Sequence, residues 1–218
     1  MEDPQALKNI AFELDRVLAD SSEQKIHEFL EGHLELFGFL QRDGFTKSKL
    51  RLADSFIPDF VVIGLEPYSN DPRPHVTFIE IERANETLFT SKGDPTAFLT
   101  HAVKQTQDWK RWVTDNRSFL HTTLHRLIVH EASPKAAKER DWRGDNIERG
   151  IARGFHDRYL VIAGRRGQMS IENRLALAQM NHDLLDIRII TYDVLLERIF
   201  RELDYIYGNG TWHDLSRS

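Results

Sequence analysis

Short runs of β-forming residues alternate in this chain with longer stretches that have the apolar spacing of helices, and this alternation restricts the fold most. The β-type runs are residues 50–52, 56–63, 76–82, 127–129, 159–163 and 187–191. The helical stretches are residues 5–19, 23–37, 95–116, 171–184 and 194–207. The runs LIV (127–129) and YLVIA (159–163) are uninterrupted, as in central strands covered on both faces. The alternation predicts an α/β fold, with a central mixed sheet flanked by helices and an antiparallel hairpin early in the chain.

The composition is that of a soluble globular domain. The chain has 218 residues, enough for one large core. It contains no run of the roughly 20 apolar residues that span a bilayer, and its acidic N-terminal stretch is not a secretory signal. It lacks cysteine, which excludes disulfides and thiolate metal sites. We therefore expect a cytoplasmic protein without a membrane partner, and the net charge of −5 argues against coating of nucleic acid by bulk charge.

Three acidic residues interrupt the β-type runs, although burial of a carboxylate is costly unless it is paired. Glu80 and Glu82 are two residues apart in FIEIERA (78–84), so they share one face of a strand, and Asp59 lies in FIPDFVVIG (56–64). If the run that holds Asp59 is the neighbouring strand, its carboxylate meets Glu80 within the reach of one cation. Oxygen ligands of this kind suit Mg²⁺. The alternative is that the acids face solvent at a strand end.

The helix that follows SKGDPT (91–96) carries a polar residue in an apolar stripe. Its N-cap is predicted at Asp94, with Pro95 at the first helical position. In steps of four and three, one face carries Phe98, Ala102, Gln105, Trp109 and Trp112. A buried glutamine needs hydrogen-bond partners, which either a neighbouring carboxylate or the backbone supplies.

The order of these motifs resembles the Shedu family of bacterial anti-phage defence proteins, whose nuclease domain belongs to the PD-(D/E)XK superfamily. The resembling stretches are IPDF (57–60), FIEIERA (78–84), LFTSKGDPTAFLTHAVKQTQDWKRW (88–112), YLVIAGRR (159–166) and IRIITYDVLLER (187–198). The resemblance implies a restriction-endonuclease-like core. It divides the chain into an N-terminal helical extension (1–22), the nuclease domain (23–207) and a C-terminal tail (208–218). It also implies a homo-oligomer and leaves any regulatory partner open.

By this resemblance the site is catalytic and consists of four residues. Asp59 and Glu80 are the metal ligands, Glu82 occupies the usual lysine position, and Gln105 belongs to a helix motif of related nucleases. The cofactor implied is Mg²⁺, for which Mn²⁺ substitutes, and the substrate is DNA. Arg165 and Arg166 are candidates to grip phosphates, with plain surface charge as the alternative.

The motif departs from the family at one position, because E-x-K is replaced by Glu80-Ile81-Glu82. A lysine there orients the attacking water and stabilises transition-state charge. Glutamate instead accepts a proton or adds a ligand for a second metal. Lys92 or Lys104 is a possible substitute from elsewhere, and Glu28 or Glu31 a possible further ligand. The resemblance therefore implies a Mg²⁺-dependent DNA endonuclease. The alternatives are a catalytically weakened DNA-binding or sensing module and a structural scaffold.

Overall fold

The computed structural model describes residues 4–20, 22–39, 45–53, 56–64, 73–131, 150–151 and 153–207. Within these ranges the α-helices are α1 (Pro4–Asp20), α2 (Glu23–Gly32), α3 (Ala97–Asp115), α4 (Arg117–Glu131), α5 (Ile171–Asp183) and α6 (Asp193–Tyr207). Short 3₁₀ helices span Leu34–Phe39 and Arg166–Gln168. The strands are β1 (Phe45–Ser48), β2 (Phe60–Gly64), β3 (His75–Ile81), β4 (His156–Ile162) and β5 (Ile187–Ile190).

The strands form one five-stranded sheet in the order β1-β2-β3-β4-β5. The first three strands pair antiparallel, as the predicted early hairpin requires. β3 and β4 pair parallel, and so do β4 and β5, because helices connect them. The prediction of an α/β fold with a mixed central sheet is thus confirmed.

Helices cover both faces of this sheet, and the alternation of side chains along each strand divides the core between them. Phe60, Ile79 and Leu160 point to the layer formed by α1, α2 and α6. Val61 and Val161 point to the layer formed by α3, α4 and α5. β4 is buried on both faces, as its continuous apolar run predicts.

Helix α1 belongs to the first of these layers. Leu7, Leu14 and Leu18 are buried in the same cluster as Leu195 and Ile199 of α6. Residues 4–20 therefore pack with the sheet-covering helices. None of the helices in the described ranges is long and apolar enough to cross a membrane.

Two predicted strands are wrong. Residues 127–129 lie inside α4, where Leu120, Leu124 and Leu127 recur with helical spacing and pack on the sheet. A run of three apolar residues does not distinguish a strand from a buried helical turn. Residues 50–52 follow β1 instead of forming it, because the positive φ of 45° at Lys49 ends the extended conformation. Leu50 and Leu52 are buried all the same.

Element boundaries also shift from the prediction. The run 56–63 becomes a strand only from Phe60, and the helix predicted over 23–37 stops at Gly32, a residue that disfavours helix interiors. The N-cap of α3 is Thr96 instead of Asp94, since its side chain accepts the N–H of Leu99 at 3.4 Å. The residues after 131 that were predicted to be helix and loop lie mostly outside the described ranges.

The apolar stripe of α3 is rotated slightly from the predicted one. Its buried residues are Leu99, Ala102, Val103, Thr106, Trp109 and Val113. Phe98, Gln105 and Trp112 flank this stripe and are half-buried. Gln105 thus lies at the margin of the helix–sheet interface, where its amide reaches the end of β3.

Candidate active site

The register of the sheet lines up three charged residues in one row. Phe60 pairs with Ser48 on one side and with Ile79 on the other. One residue further along each strand, Lys49, Asp59 and Glu80 therefore lie side by side. Lys49 and Asp59 lie just outside β1 and β2, and their side chains meet through the contact of Nζ with Oδ1. The structure thus brings together the two acids that the sequence predicts as metal ligands, and adds a lysine to them.

Asp59 is 4 % exposed and is held from two directions. Its Oδ2 accepts a hydrogen bond from the backbone N–H of Ile81 at 2.8 Å. Its Oδ1 accepts one from Nζ of Lys49. Since a buried carboxylate with two donors is both oriented and partly neutralised, Asp59 is fixed at the point where β2 begins and β3 ends.

Glu80 is buried beside Asp59, and the positive charge near the two acids balances them only in part. Its Oε1 accepts a hydrogen bond from Nε2 of Gln105 at 2.8 Å, the carboxylate partner that a buried glutamine needs. Burial raises the pKa of Glu80 far above its ordinary value of 4.5, and the charges of Asp59 and then Glu82 raise it further. Lys49 opposes this shift only in part. Without an added cation, the geometry therefore favours a protonated Glu80.

Glu82 is the first residue after β3, and its backbone is fixed on both sides. Its N–H donates to the carbonyl of Ile162 at 2.9 Å, and its carbonyl accepts the hydroxyl of buried Tyr192 at 2.6 Å. Burial raises the pKa of its side chain to about 7, with further contributions from the charges of Glu23 and Asp59. A carboxyl group with this pKa gains and loses a proton near neutral pH, as a general base must.

The structure adds two residues that sequence reasoning missed, Lys49 and His27. His27 of α2 stacks its ring on Phe60 at 4.8 Å between centroids. Its buried Nε2 has no hydrogen-bond partner among the described residues and lies 3.9 Å from Oδ1 of Asp59. The sequence pointed instead to Glu28 and Glu31 of the same helix, which are exposed. No signal in the sequence singles out either residue, because both positions depend on how α2 and β1 pack beside Asp59.

Arg165 and Arg166 follow β4 and are bound by acids from two helices. Arg165 donates to Asp193 at 3.1 Å and to Asp15 at 2.8 Å. The guanidinium of Arg166 binds both carboxylate oxygens of Glu197, and its backbone N–H donates to Asp193 at 2.6 Å. These contacts tie the end of β4 to α6 and, through Arg165, to α1.

The acids fit a divalent cation that takes few ligands from the protein. No group of three or more His, Asp or Glu side chains in the described part of the chain is arranged to hold a metal ion. Asp59 and Glu80 form a pair of hard oxygen donors with an excess of negative charge, and the unpartnered Nε2 of His27 lies beside them. Mg²⁺ usually binds through one or two carboxylates and keeps several waters. The donor set therefore fits Mg²⁺ held by Asp59 and Glu80.

Comparison with known proteins assigns most of the chain to one family. The model of a family described as Shedu protein SduA, C-terminal, matches residues 20–196. This range contains all five strands and the residues of the candidate site. A search of curated proteins gave no match.

Proposed function

The chain belongs to the Shedu family, which indicates a role in anti-phage defence, and on this premise we propose that it is a Mg²⁺-dependent DNA endonuclease. In this proposal the sheet and its flanking helices are a PD-(D/E)XK core of the restriction-endonuclease type. The enzyme nicks or cleaves phosphodiester bonds, and Mn²⁺ substitutes for Mg²⁺. Because one fold hosts many activities, the proposal depends on the site and not on the fold alone.

The observation that carries the proposal is the excess of negative charge around Glu80. Asp59, Glu80 and Glu82 lie within electrostatic reach of one another and are each less than a tenth exposed. An arrangement of this kind lowers the stability of the metal-free protein, and strongly perturbed titratable groups concentrate at functional sites. A divalent cation between Asp59 and Glu80 would balance this charge.

The bound cation would supply Lewis-acid stabilisation of the phosphate and would acidify the attacking water. Asp59, which is fixed by Ile81 N–H, and Glu80, which is fixed by Gln105, would hold the cation. Gln105 is a positioning residue, since it sets the orientation of a ligand instead of touching the substrate. The unpartnered Nε2 of His27 is available to bind a water molecule at the same site.

Hydrolysis requires a proton acceptor, and we assign this role to Glu82 because of its raised pKa. The oxygen of a water molecule forms a bond to phosphorus while one P–O ester bond breaks. The water proton passes to the Glu82 carboxylate, and the departing oxygen takes a proton from solvent. With its pKa raised to about 7, Glu82 is partly ionised at neutral pH and accepts the proton more readily than an ordinary carboxylate.

Conversion of supercoiled plasmid to nicked or linear DNA tests the proposal. We expect cleavage with Mg²⁺ or Mn²⁺ and none with EDTA. Asp59→Ala and Glu80→Ala should each lower the cleavage rate by about a thousandfold or more, because removal of a metal ligand disables the site. The matched control is Asp108→Ala, which removes an exposed acid that pairs with Arg111 on α3. This variant should cleave at the wild-type rate.

The substitution of glutamate for lysine at position 82 favours one other function, a DNA-binding or sensing module with little catalytic activity. That module would bind DNA without cutting it at any metal concentration. Wild-type protein that binds but does not cut would therefore replace the enzyme proposal by this one. If the wild-type protein neither binds nor cuts DNA, the remaining alternative is a structural scaffold. Homo-oligomer formation, a regulatory partner and phosphate contacts of Arg165 and Arg166 stay predictions.

A further inference from the structure

The candidate site lacks a lysine at the position where the family pattern has one, yet a lysine is present in it. Glu82 occupies that position, and Glu80 and Asp59 add two more acids nearby. Lys49 reaches the same acids from a different strand. Its Nζ contacts Oδ1 of Asp59, and its charge acts on Glu80 as well.

We propose that Lys49 is the catalytic cation of this site and takes the role that the family pattern gives to residue 82. The inference rests on the proposed nuclease function and adds to it the residue that stabilises charge on the scissile phosphate.

The backbone around Lys49 directs its side chain toward the acids. The N–H of Lys49 donates to the carbonyl of Asp59 at 2.9 Å, which holds the two residues next to each other just beyond β1 and β2. Lys49 also has a positive φ of 45°. This left-handed conformation is unfavourable for a residue other than glycine. Strain of this kind is retained where the surrounding structure requires one geometry, and active sites are a frequent place for it.

The exposure of the pair suits a catalytic role better than a purely structural one. The side chain of Asp59 is 6 % exposed, whereas that of Lys49 is 52 % exposed. The ammonium group therefore lies between the buried carboxylate and solvent, where a phosphate would approach. An ammonium has three N–H donors, and the contact with Asp59 uses one of them.

The lysines that the sequence suggested as substitutes do not have this position. Lys92 lies in the loop before α3, Lys104 lies on α3, and both are exposed. Among the lysines of the described ranges, the one that forms an ion pair with an acid of the site is Lys49. A donor aimed at developing charge is worth about a hundredfold to a thousandfold in rate. Lys49 is the residue to which we assign this contribution.

Four variants test the assignment against a structural role. Lys49→Met removes the charge at similar length, Lys49→Arg keeps it, and Lys104→Met is the matched control. The double variant Lys49→Met/Glu82→Lys returns a lysine to the family position. Each is measured by single-turnover plasmid cleavage at saturating Mg²⁺, by calorimetric titration with Mg²⁺ alone, and by thermal unfolding, with Asp59→Ala as the inactive reference.

The expected result separates the rate of cleavage from metal binding. Lys49→Met should lose about a hundredfold or more in rate while binding Mg²⁺ at least as tightly as wild type, because it removes a competing cation from Asp59. Lys49→Arg should keep about a tenth of the rate or more, and the double variant should regain at least about tenfold over Lys49→Met. Lys104→Met should match wild type.

Other outcomes overturn the assignment, and they differ from a failure of the nuclease proposal. If wild type cuts, Asp59→Ala does not, and Lys49→Met cuts within about threefold of wild type, then Lys49 has no catalytic role. The same conclusion follows if the loss of cleavage rate in Lys49→Met disappears at higher Mg²⁺, or if it is accompanied by a matching fall in thermal stability. If wild type cuts under no condition, the nuclease proposal fails, and the role of Lys49 fails with it.

Discussion

Two neighbouring strands of the sheet end in charged residues, and the two ends differ in how that charge is balanced. β3 and β4 run parallel with Ile81 beside Ile162, so Glu82 and the Arg165–Arg166 pair follow at the same edge. After β4, each arginine meets carboxylates, Asp193 and Asp15 for one and Glu197 for the other. At the end of β3, by contrast, Glu80 has two other acids, Asp59 and Glu82, within electrostatic reach.

This difference separates charge that holds the fold together from charge that requires a ligand. Arg165 is joined to Asp15 across 150 positions of the chain, so its partner is supplied by folding itself. Glu80 gains Asp59 and Glu82 as neighbours by folding, and the charge of Lys49 offsets them only in part. The first arrangement stabilises the native state whether or not a ligand binds. The second becomes favourable only when protons or an added cation offset the acids.

Replacing one acid by its amide at each strand end should shift stability in opposite directions. Glu80→Gln should raise the unfolding free energy of the metal-free protein at pH 7 by about 1–3 kcal/mol, because the raised pKa of Glu80 means that folding must add a proton to it. Asp193→Asn should lower it by about 1–3 kcal/mol, since it removes the charge that binds Arg165 and the N–H of Arg166. Urea denaturation in EDTA measures both.

The two variants serve as controls for each other, because each exchanges a carboxylate for an amide of the same shape. Both acids are partly or fully buried, and both lie at the same edge of the sheet. A loss of stability in both variants would mean that the charge of Glu80 is as well balanced as that of Asp193, which binds the arginines after β4. In that case the observation that supports a metal site would be withdrawn.

The pH dependence of stability should reveal the same imbalance. Burial raises the pKa of Glu82 to about 7 and that of Glu80 further, both from 4.5 in the unfolded chain. The folded metal-free protein therefore binds more protons than the unfolded chain, and stability falls as pH rises from 5 to 8. The limiting slope is about 1.4 kcal/mol per pH unit for each extra proton, so stability should fall more steeply below pH 7, where both groups keep their protons, than above it, where Glu80 alone does.

Saturating Mg²⁺ should flatten this slope, because a bound cation takes the place of the extra protons. The measurement is the urea unfolding free energy at several pH values, with and without Mg²⁺. The double variant Glu80→Gln/Glu82→Gln should lose most of the slope in EDTA. A slope that persists in this variant would have to arise elsewhere in the protein.

How much of the fold the sequence predicted depends on the length of each pattern. β5, α5 and α6 lie within a residue of their predicted positions, and β4 begins three residues before its predicted start, because their apolar patterns are long or uninterrupted. The strand predicted at residues 127–129 was wrong, because three apolar residues in a row are equally compatible with a turn of α4. The bounds of β1 depended on the conformation of Lys49, which no local pattern encodes.

For the site, local periodicity predicted the acids. Prediction of their partners would have required knowledge of the register of the sheet. The two-residue spacing of Glu80 and Glu82 and the position of Asp59 on a neighbouring run were enough to expect the acids together. Lys49 and His27 reach Asp59 through the β1–β2 register and the packing of α2. Arg165 and Arg166 were predicted as phosphate contacts, and their acidic partners were not foreseen because these lie far away in sequence. Long-range pairing is the information that a single sequence did not supply.

The smallest effect is expected from Arg166→Ala, which tests whether the arginines after β4 contact DNA. Both side chains of the Arg166–Glu197 pair are about two-fifths exposed, so its loss should cost about 1 kcal/mol or less in unfolding free energy. DNA affinity, measured in EDTA at several salt concentrations, should change less than about threefold, because the guanidinium is already bound to carboxylate.

A phosphate contact would give a different result from a structural ion pair. Removal of one phosphate contact weakens binding to every DNA sequence and lowers the slope of log affinity against log salt by about one. If Arg166→Ala shows both changes, then Arg166 exchanges Glu197 for phosphate when DNA binds. The two strand ends would then cooperate, with the acids of β3 holding the cation and the arginines after β4 holding the strand. If neither change occurs, the ion pairs after β4 serve the fold, and the nucleic acid must contact the protein at other cations.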